Sequence, residues 1–181
     1  MPNYRRANIE GACYFFTVNT LRRQPILVDE PIRIALRKAI EAVRVGLPFT
    51  IDAWVLLPDH LHCLWTLPRG DADFATRWKL IKTKVTQQCG SSFFRDEFIT
   101  ARRSKKGQGS IWQNRYWEHQ IRDDNDFEQH ANYIHWNPVK HGYVERVADW
   151  PYSSFHRYVQ IGIYPCDWAT GTDITGGIFG E

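Results

Sequence analysis

The sequence lacks the features that mark secreted and membrane-spanning proteins. Its four cysteines are scattered over 181 residues without a C-x-x-C pair, so neither a zinc knuckle nor a compact disulfide framework is predicted. No stretch reaches the roughly 18 apolar residues that a membrane helix needs. The start of the chain, MPNYRRANIEG, has no apolar core of a signal peptide. These absences favour a cytoplasmic protein that does not contact a membrane.

A strong charge of one sign is also missing. The formal net charge is only +3, so attraction to polyanions depends on local clusters of basic residues rather than on the total. The length suits one globular unit with its own core. Eight tryptophans exceed what a core of that size usually requires, which predicts that some of the rings face a ligand.

The first half of the chain alternates between strand and helix patterns. Residues 12–20 are rich in aromatic and β-branched types and predict a buried strand. A capping aspartate, an early proline and apolar residues at helical spacing predict a helix over residues 29–46. Residues 49–67 contain two strand-like runs separated by a Pro-Asp pair, which predicts an antiparallel hairpin.

The second half continues the alternation. Residues 73–89 predict a helix that is apolar inside and basic outside, and residues 100–109, with two glycines and no apolar period, predict a mobile loop. Residues 111–121 alternate as a strand does. A third helix is predicted from residue 123 to about Trp136, just before a proline, and a short helix and an arm after residue 147.

This order of elements predicts the fold class. Strand, helix, strand, strand, helix, strand and helix follow one another, which is typical of an α+β protein with helices packed on an antiparallel sheet.

The second strand of the hairpin carries the pattern His-x-His. Side chains two apart project to the same face of a strand, so His60 and His62 start about 7 Å apart and can converge on one ion. The alternate residues, from Leu61 to Leu67, can be buried on the other face. Two histidines alone are more often structural than metal-binding, so a third ligand and a nucleophile are needed.

The third helix offers both groups. Tyr133 and Asn137 are four residues apart and share a face, with His130 one turn earlier. Periodicity alone favours a different interpretation, in which Tyr133 is a core residue and Asn137 a cap before the proline.

Four segments together resemble the REP-associated tyrosine transposases of the HUH single-tyrosine, IS200-like group. The segments are, in order, PDHLHCLW, IWQNRYWEHQIRD, NYIHWNPVKHGYV and DWPYSSFHRY, and the similarity runs from Tyr4 to about Trp168. Four motifs in register are far more specific than any one of them.

The resemblance implies an overall organisation. It predicts a ferredoxin-like catalytic domain of the HUH transposase fold over residues 1–150, with residues 151–181 as a C-terminal extension that packs on or regulates this domain. It also predicts a monomer without a nucleotide cofactor, whose partner is single-stranded or hairpin DNA with REP-like palindromes.

The resemblance further assigns the site residues. It implies that His60 and His62 bind Mg²⁺ or Mn²⁺ over the scissile phosphate, and the family's nucleophile matches Tyr133 in NYIHWNP. Asn137 stands where the family supplies a further metal ligand, an oxygen donor suited to a hard cation. Two other tyrosines are weighed for the role: Tyr116 lies in the strand-like run beside Trp117, where it packs or stacks, and Tyr143 follows His141-Gly142, where the helix has ended.

These residue types suit transfer of a DNA strand. A phenol has a pKa of about 10 and is a weak nucleophile near neutral pH, so it needs a polarised target, which a metal on the phosphate oxygens provides. Attack by Tyr133 would leave a 5′-phosphotyrosine and a free 3′-hydroxyl. Another 3′-hydroxyl can then reverse the step without ATP.

Single-stranded DNA is usually held by basic residues and by aromatic rings on which bases stack. Trp112, Trp117 and Trp136 are candidates for stacking, although core packing is the alternative for each. The extended basic loop adds Lys105 and Lys106. The predicted DNA-binding residues are Tyr4, Arg5, Arg6, Arg77, Lys79, Lys82, Lys84, Arg102, Arg103 and Lys140.

Two other classes of function remain open from the residues. One is a catalytically retired protein that still binds hairpin DNA. The other is a metal-dependent hydrolase in which His60 and His62 position a water, with Asp59 as the nearby carboxylate.

Overall fold

A four-stranded antiparallel sheet lies at the centre of the computed structural model, which describes residues 9–169. The strands are β1 (Cys13–Asn19), β2 (Thr50–Leu56), β3 (His60–Thr66) and β4 (Trp117–Gln120). Their spatial order is β2-β3-β1-β4, and all pairings are antiparallel. The predicted α+β, ferredoxin-like sheet and the hairpin of β2 and β3 are therefore confirmed.

Two helices cover one face of the sheet. They are α1 (Glu30–Gly46) and α2 (Phe74–Cys89), close to their predicted bounds, and the Asp73 side chain caps α2 by accepting a hydrogen bond from the backbone N–H of Thr76 at 2.9 Å. Their apolar stripes enclose the largest core cluster. Within it the rings of Trp65 and Trp78 stack with centroids 4.2 Å apart, so these two tryptophans fill the core.

Helix α4 (Asp124–Lys140) packs on the opposite face, where its residue Tyr133 shares a core cluster with Phe15 and Leu64 of the sheet. The prediction that this helix ends near Trp136 is wrong. Pro138 cannot donate a backbone hydrogen bond, yet the helix continues because Pro138 is buried and the last turn is closed by His141 N–H donating to the carbonyl of Asn137 at 3.0 Å. Tertiary packing thus overrides the local preference of the residue before a proline.

The prediction that residues 100–109 form a mobile loop is wrong in part, because this segment contains the short helix α3 (Ala101–Lys105). Thr100 caps this helix by accepting from the backbone N–H of Arg103. The guanidinium of Arg103 donates to the carbonyls of Gly109 and Trp112, which holds the segment against the start of the β4 region. β4 itself is shorter than the predicted strand.

The predicted short C-terminal helix is confirmed as α5 (Phe155–Gln160). It lies along β2, where the Ser154 hydroxyl accepts from the backbone N–H of Trp54 at 2.8 Å and the Tyr158 hydroxyl donates to the carbonyl of Asp52 at 3.1 Å. Tyr4, Arg5, Arg6 and most of the predicted arm lie outside the described residues. Among residues 9–169, no helix combines the length and apolar composition that a membrane crossing needs.

Candidate active site

His60 and His62 lie side by side on β3 and face α4. Their side chains are almost completely buried, and their ring centroids are 4.9 Å apart. His60 Nδ1 donates to the carboxylate of Asp59 at 2.7 Å, and His62 Nδ1 shares a hydrogen bond of 2.9 Å with the Thr17 hydroxyl. Because both rings are held through Nδ1, their Nε2 atoms are the ones suited to bind a metal ion.

Burial sets the protonation of His60. It lowers the pKa of His60 below the usual range, although the hydrogen bond and charge of Asp59 act in the opposite direction. The neutral imidazole that results is the form that binds a metal. Burial alone would raise the pKa of Asp59, but the hydrogen bond and charge of His60 together with the charge of Arg23 outweigh it, and the pKa is lowered.

Tyr133 projects from α4 toward the same histidines. It is only 2% exposed, and its ring packs edge-on against that of His62 with centroids 5.3 Å apart. Asn137 follows one turn later on the same face and is completely buried. Lys140 Nζ donates a hydrogen bond of 3.1 Å to the Tyr133 hydroxyl. The structure therefore brings the predicted tyrosine to the predicted histidine pair.

Two residues beside the pair were missed by the sequence reasoning. The His141 ring, just after α4, lies 5.1 Å from that of His60. Arg23 lies 3.4 Å from the Asp59 carboxylate, and both Arg22 and Arg23 have positive φ, a strained conformation for residues other than glycine. Neither periodicity nor spacing marks these positions, because they are brought in by tertiary contacts.

A second cluster of imidazoles and a carboxylate lies between β4 and α4. His119, Asp126 and His130 are the one group of three histidine, cysteine or acidic residues within residues 9–169 whose ligand atoms lie within 4.8 Å of one another. The Asp126 carboxylate already accepts from His119 Nε2 at 2.9 Å and from Arg122 Nε at 3.1 Å. Because a guanidinium already pairs with that carboxylate, a metal ion is disfavoured there. The cluster is a hydrogen-bonded contact that connects β4 to α4.

The donor chemistry at His60 and His62 does fit a divalent cation. Two neutral imidazoles and the amide oxygen of Asn137 would give a mixed nitrogen and oxygen set, and DNA phosphate oxygens could complete it. The carboxylate and hydroxyl behind the two rings are the supporting contacts that metal-binding histidines usually have.

The prediction that Arg77 belongs to a DNA-binding surface is wrong. Its side chain is completely buried, and its guanidinium donates to the Asp71 carboxylate at 2.6 Å and to the carbonyls of Pro48 and Asp73 at 2.8 Å. Helical spacing placed it near the lysines of α2, but the loop that follows α1 covers it. Arg77 therefore ties α2 to that loop.

Three of the other basic residues predicted to bind DNA line a cavity of about 700 Å³. Lys79 and Lys82 of α2 line it together with Arg103, and Trp112 and Tyr116 contribute its rings. Lys84 and Arg102 are exposed nearby in the chain but do not line it. The cavity lies on the side of the sheet covered by α2, whereas Tyr133 lies on the side covered by α4.

Comparisons with known proteins identify relatives along the whole chain. Residues 8–137 match the family model described as Transposase IS200 like. The chain is 46% identical over 178 residues to the REP-associated tyrosine transposase of Escherichia coli (strain K12), covering 98% of this chain and 97% of the relative. A relative from Haemophilus influenzae that carries the same family name is 43% identical over 174 residues, covering 96% and 97%.

A solved structure is also similar. The structure of a REP-associated tyrosine transposase bound to a REP hairpin matches with a TM-score of 0.83 and 46% identity, covering 100% of this chain and 98% of that one.

Proposed function

The chain belongs to the IS200-like transposase family, and from this membership and the site geometry we propose that it cuts and rejoins single-stranded DNA beside REP-type hairpins through a 5′-phosphotyrosine at Tyr133. The observation that carries the proposal is the contact between the buried Tyr133 ring and the His62 ring, at 5.3 Å between centroids. A tyrosine that served only the core would not need a pair of oriented imidazoles beside it.

The residues that would hold a divalent cation are His60, His62 and Asn137. A bound Mg²⁺ or Mn²⁺ would withdraw charge from the oxygens of the scissile phosphate. The protein's own contribution is orientation, since Asp59 and Thr17 fix the two rings through their Nδ1 atoms.

The transfer itself requires one oxygen of the protein. The phenolic oxygen of Tyr133 forms a bond to phosphorus as the bond from phosphorus to the 3′-oxygen breaks, which leaves a free 3′-hydroxyl. The 3′-hydroxyl of the same or another strand reverses the step. Because the covalent link conserves the phosphodiester, cutting and joining are one reaction run in two directions.

The proposed partner is hairpin DNA of the REP type. The solved relative is bound to a REP hairpin, and the cavity of Lys79, Lys82 and Arg103 offers positive charge beside the rings of Trp112 and Tyr116. We assign the remaining predicted basic residues of the described chain, Lys84 and Arg102, to the phosphates around it.

We also propose that the chain works as a monomer in which residues 151–181 form an extension of the catalytic domain at residues 1–150. Support comes from the hydrogen bonds of Ser154 and Tyr158 to β2. Light scattering of the purified protein with and without hairpin DNA tests the monomer, and a mass twice that of the chain would contradict it.

The proposed reaction is tested by trapping the covalent intermediate. A 3′-labelled single-stranded hairpin is incubated with the protein and Mn²⁺ and resolved under denaturing conditions, and the wild type should give a labelled band at the mass of protein plus DNA. Tyr133→Phe should give none, and His60→Ala should give none while still binding the hairpin.

Each rival function gives a different result. Wild-type binding without cutting would show a retired binder. Cutting that leaves no adduct and survives Tyr133→Phe would show a hydrolase.

A further inference from the structure

We propose that Lys140 is a catalytic residue whose ammonium group stabilises the negative charge that develops on the Tyr133 oxygen, both when this oxygen attacks the phosphate and when it leaves. The proposal rests on the proposed function of Tyr133. The observation that supports it is a hydrogen bond of 3.1 Å that Lys140 Nζ donates to the Tyr133 hydroxyl. The same Nζ lies 4.8 Å from the centroid of the Tyr133 ring.

The contact exists because α4 runs through Pro138 to Lys140. Seven residues are almost two complete turns, so Lys140 returns to the face of Tyr133 about 10 Å further along the axis. Side chains of a helix lean toward its N-terminus, and the long lysine side chain can therefore reach back to the tyrosine. A helix that ended at Trp136 would leave this lysine without a fixed direction.

The energetics indicate a role in the reaction rather than in folding. Lys140 is exposed, and fixing its long side chain costs conformational entropy that one hydrogen bond to a neutral phenol does not recover. The ammonium group interacts more strongly with an oxygen that becomes negative than with a neutral hydroxyl. The contact therefore strengthens in the transition state, which is what acceleration requires.

In the forward direction the phenol gives its proton to solvent water, the bond between Tyr133 oxygen and phosphorus forms, and the bond to the 3′-oxygen breaks. The 3′-oxygen then takes a proton from solvent water. In the reverse direction the 3′-hydroxyl loses its proton, bonds to phosphorus, and the Tyr133 oxygen departs and regains a proton. Lys140 keeps its own protons throughout, because it acts as a fixed charge.

This role differs from a contact with DNA phosphate, which the sequence alone suggested for Lys140. A charge on the reacting oxygen stabilises one transition state shared by both directions, so its loss slows both cutting and rejoining. A phosphate contact would instead alter affinity and its dependence on salt.

The experiment compares Lys140→Met and Lys140→Arg with the wild type at saturating hairpin DNA and Mn²⁺. Single-turnover rates of adduct formation, and of adduct resolution by an added 3′-hydroxyl strand, are measured separately. Hairpin affinity is measured by fluorescence anisotropy in a Tyr133→Phe background, where no cutting occurs. Lys38→Met, which removes an exposed lysine of α1, is the matched control, and urea midpoints establish that every variant is folded.

Lys140→Met should lower both rates by about 100-fold, the usual loss for one donor to a developing negative oxygen. Its affinity should stay within about twofold of the control, and Lys140→Arg should recover most of the rate because it keeps a charged donor. Wild-type rates in Lys140→Met, a loss in only one of the two directions, or a loss confined to affinity and salt dependence would each overturn the proposal. If the wild type itself forms no adduct, the proposed function fails as well.

Discussion

The two histidines of the site are held by different partners, one charged and one neutral. His60 donates to the Asp59 carboxylate, whereas His62 shares its hydrogen bond with the Thr17 hydroxyl. A carboxylate behind a metal-binding imidazole both orients the ring and raises its affinity for the ion. We therefore infer that Asp59 is a positioning residue for His60.

Replacement of Asp59 tests this role. Asp59→Asn keeps an oxygen that can accept from His60 but removes the charge, so the Mn²⁺ concentration for half-maximal cutting should rise about 10- to 100-fold. Titration of the cutting rate with Mn²⁺ measures it. Asp149→Asn, which removes an exposed carboxylate paired with Arg146, is the control and should leave the titration unchanged. An unaltered Mn²⁺ requirement in Asp59→Asn would remove Asp59 from the site.

Arg77 allows a second prediction at this scale. Arg77→Met removes a completely buried guanidinium, its ion pair with Asp71 and its hydrogen bonds to three backbone carbonyls, so the free energy of unfolding should fall by about 3 kcal/mol. Urea unfolding measures the change, and Lys79→Met on the same helix should alter it by less than about 0.5 kcal/mol.

The opposite outcome for Arg77 has a clear meaning. Full stability combined with weaker hairpin binding in Arg77→Met would show that the guanidinium serves the DNA after all.

Single residues differ in how far the sequence predicts them. The pattern His-x-His on a strand places both rings on one face, and the spacing of Tyr133 and Asn137 places both on one side of a helix, because these are local periodicities. The choice of Tyr133 as the proposed nucleophile depends on the family resemblance, because local periodicity does not distinguish it from a core residue. Arg77 shows the limit, since helical spacing alone does not reveal a loop that covers one residue.

Among the elements, α4 contributes most to the candidate site, because it carries Tyr133, Asn137 and Lys140. Its start is readable from acidic capping residues, but its end is not, because the residue before Pro138 normally leaves the helical region. Burial of Asn137 and Pro138 keeps the helix going, and only the folded chain shows this. The contact of Lys140 with Tyr133 is a consequence of that last turn and so could not be predicted.

The hydrogen-bonded contact of Asp126 between β4 and α4 should make the free energy of unfolding depend on pH. Burial of the Asp126 carboxyl would raise its pKa, but hydrogen bonds from His119 and Arg122 outweigh burial and lower the pKa to about 2. A carboxylate with a lowered pKa in the folded state stabilises the protein above its unfolded pKa, near 3.8, and this contribution is lost as pH falls toward 2.

The test is urea unfolding of the wild type and Asp126→Asn at pH 5 and pH 2.5. The stability difference between them should be about 1.5 kcal/mol larger at pH 5. Asp124→Asn, an exposed change on the same turn, is measured in parallel as the control variant. A difference that is the same at both pH values would mean that Asp126 is not paired as described.

At the scale of the whole molecule, the two features assigned to DNA lie on opposite sides of the sheet. Tyr133 and the histidines face α4, and the cavity with its lysines faces α2. The segment from Trp112 to Tyr116 lines the cavity and leads directly into the edge strand β4. A DNA molecule that used both features would pass around this edge.

Salt dependence tests whether the cavity holds DNA. Lys82 Nζ donates to the carbonyl of Gln113 and lies 5.3 Å from the Tyr116 ring centroid, so its charge is fixed at the cavity wall. Lys82→Ala should weaken hairpin binding and reduce the slope of log affinity against log salt by about 0.7, the value for one phosphate of a single strand. Lys38→Ala should leave the slope unchanged, and an unchanged slope in Lys82→Ala would take the cavity out of the DNA path.

The sequence predicts the central sheet better than it predicts the helix α3 and the cavity beside it. The aromatic and β-branched residues of β1, the strand-like runs of β2 and β3 and the Pro-Asp turn between them specify the antiparallel core, and β1 and β3 are buried on both faces. The short helix α3 and the cavity beside it depend on Arg103 reaching the carbonyls of Gly109 and Trp112, which no local period encodes.

The central claim is that the phenolic oxygen of Tyr133 becomes covalently bonded to the 5′-phosphate of the DNA. The most direct measurement is to form the adduct with hairpin DNA and Mn²⁺, digest protein and DNA, and map the modified residue by mass spectrometry. A nucleotide phosphate on Tyr133 alone is the predicted result. Modification of Tyr116 or Tyr143 in its place, with Tyr133 unmodified, would contradict the account.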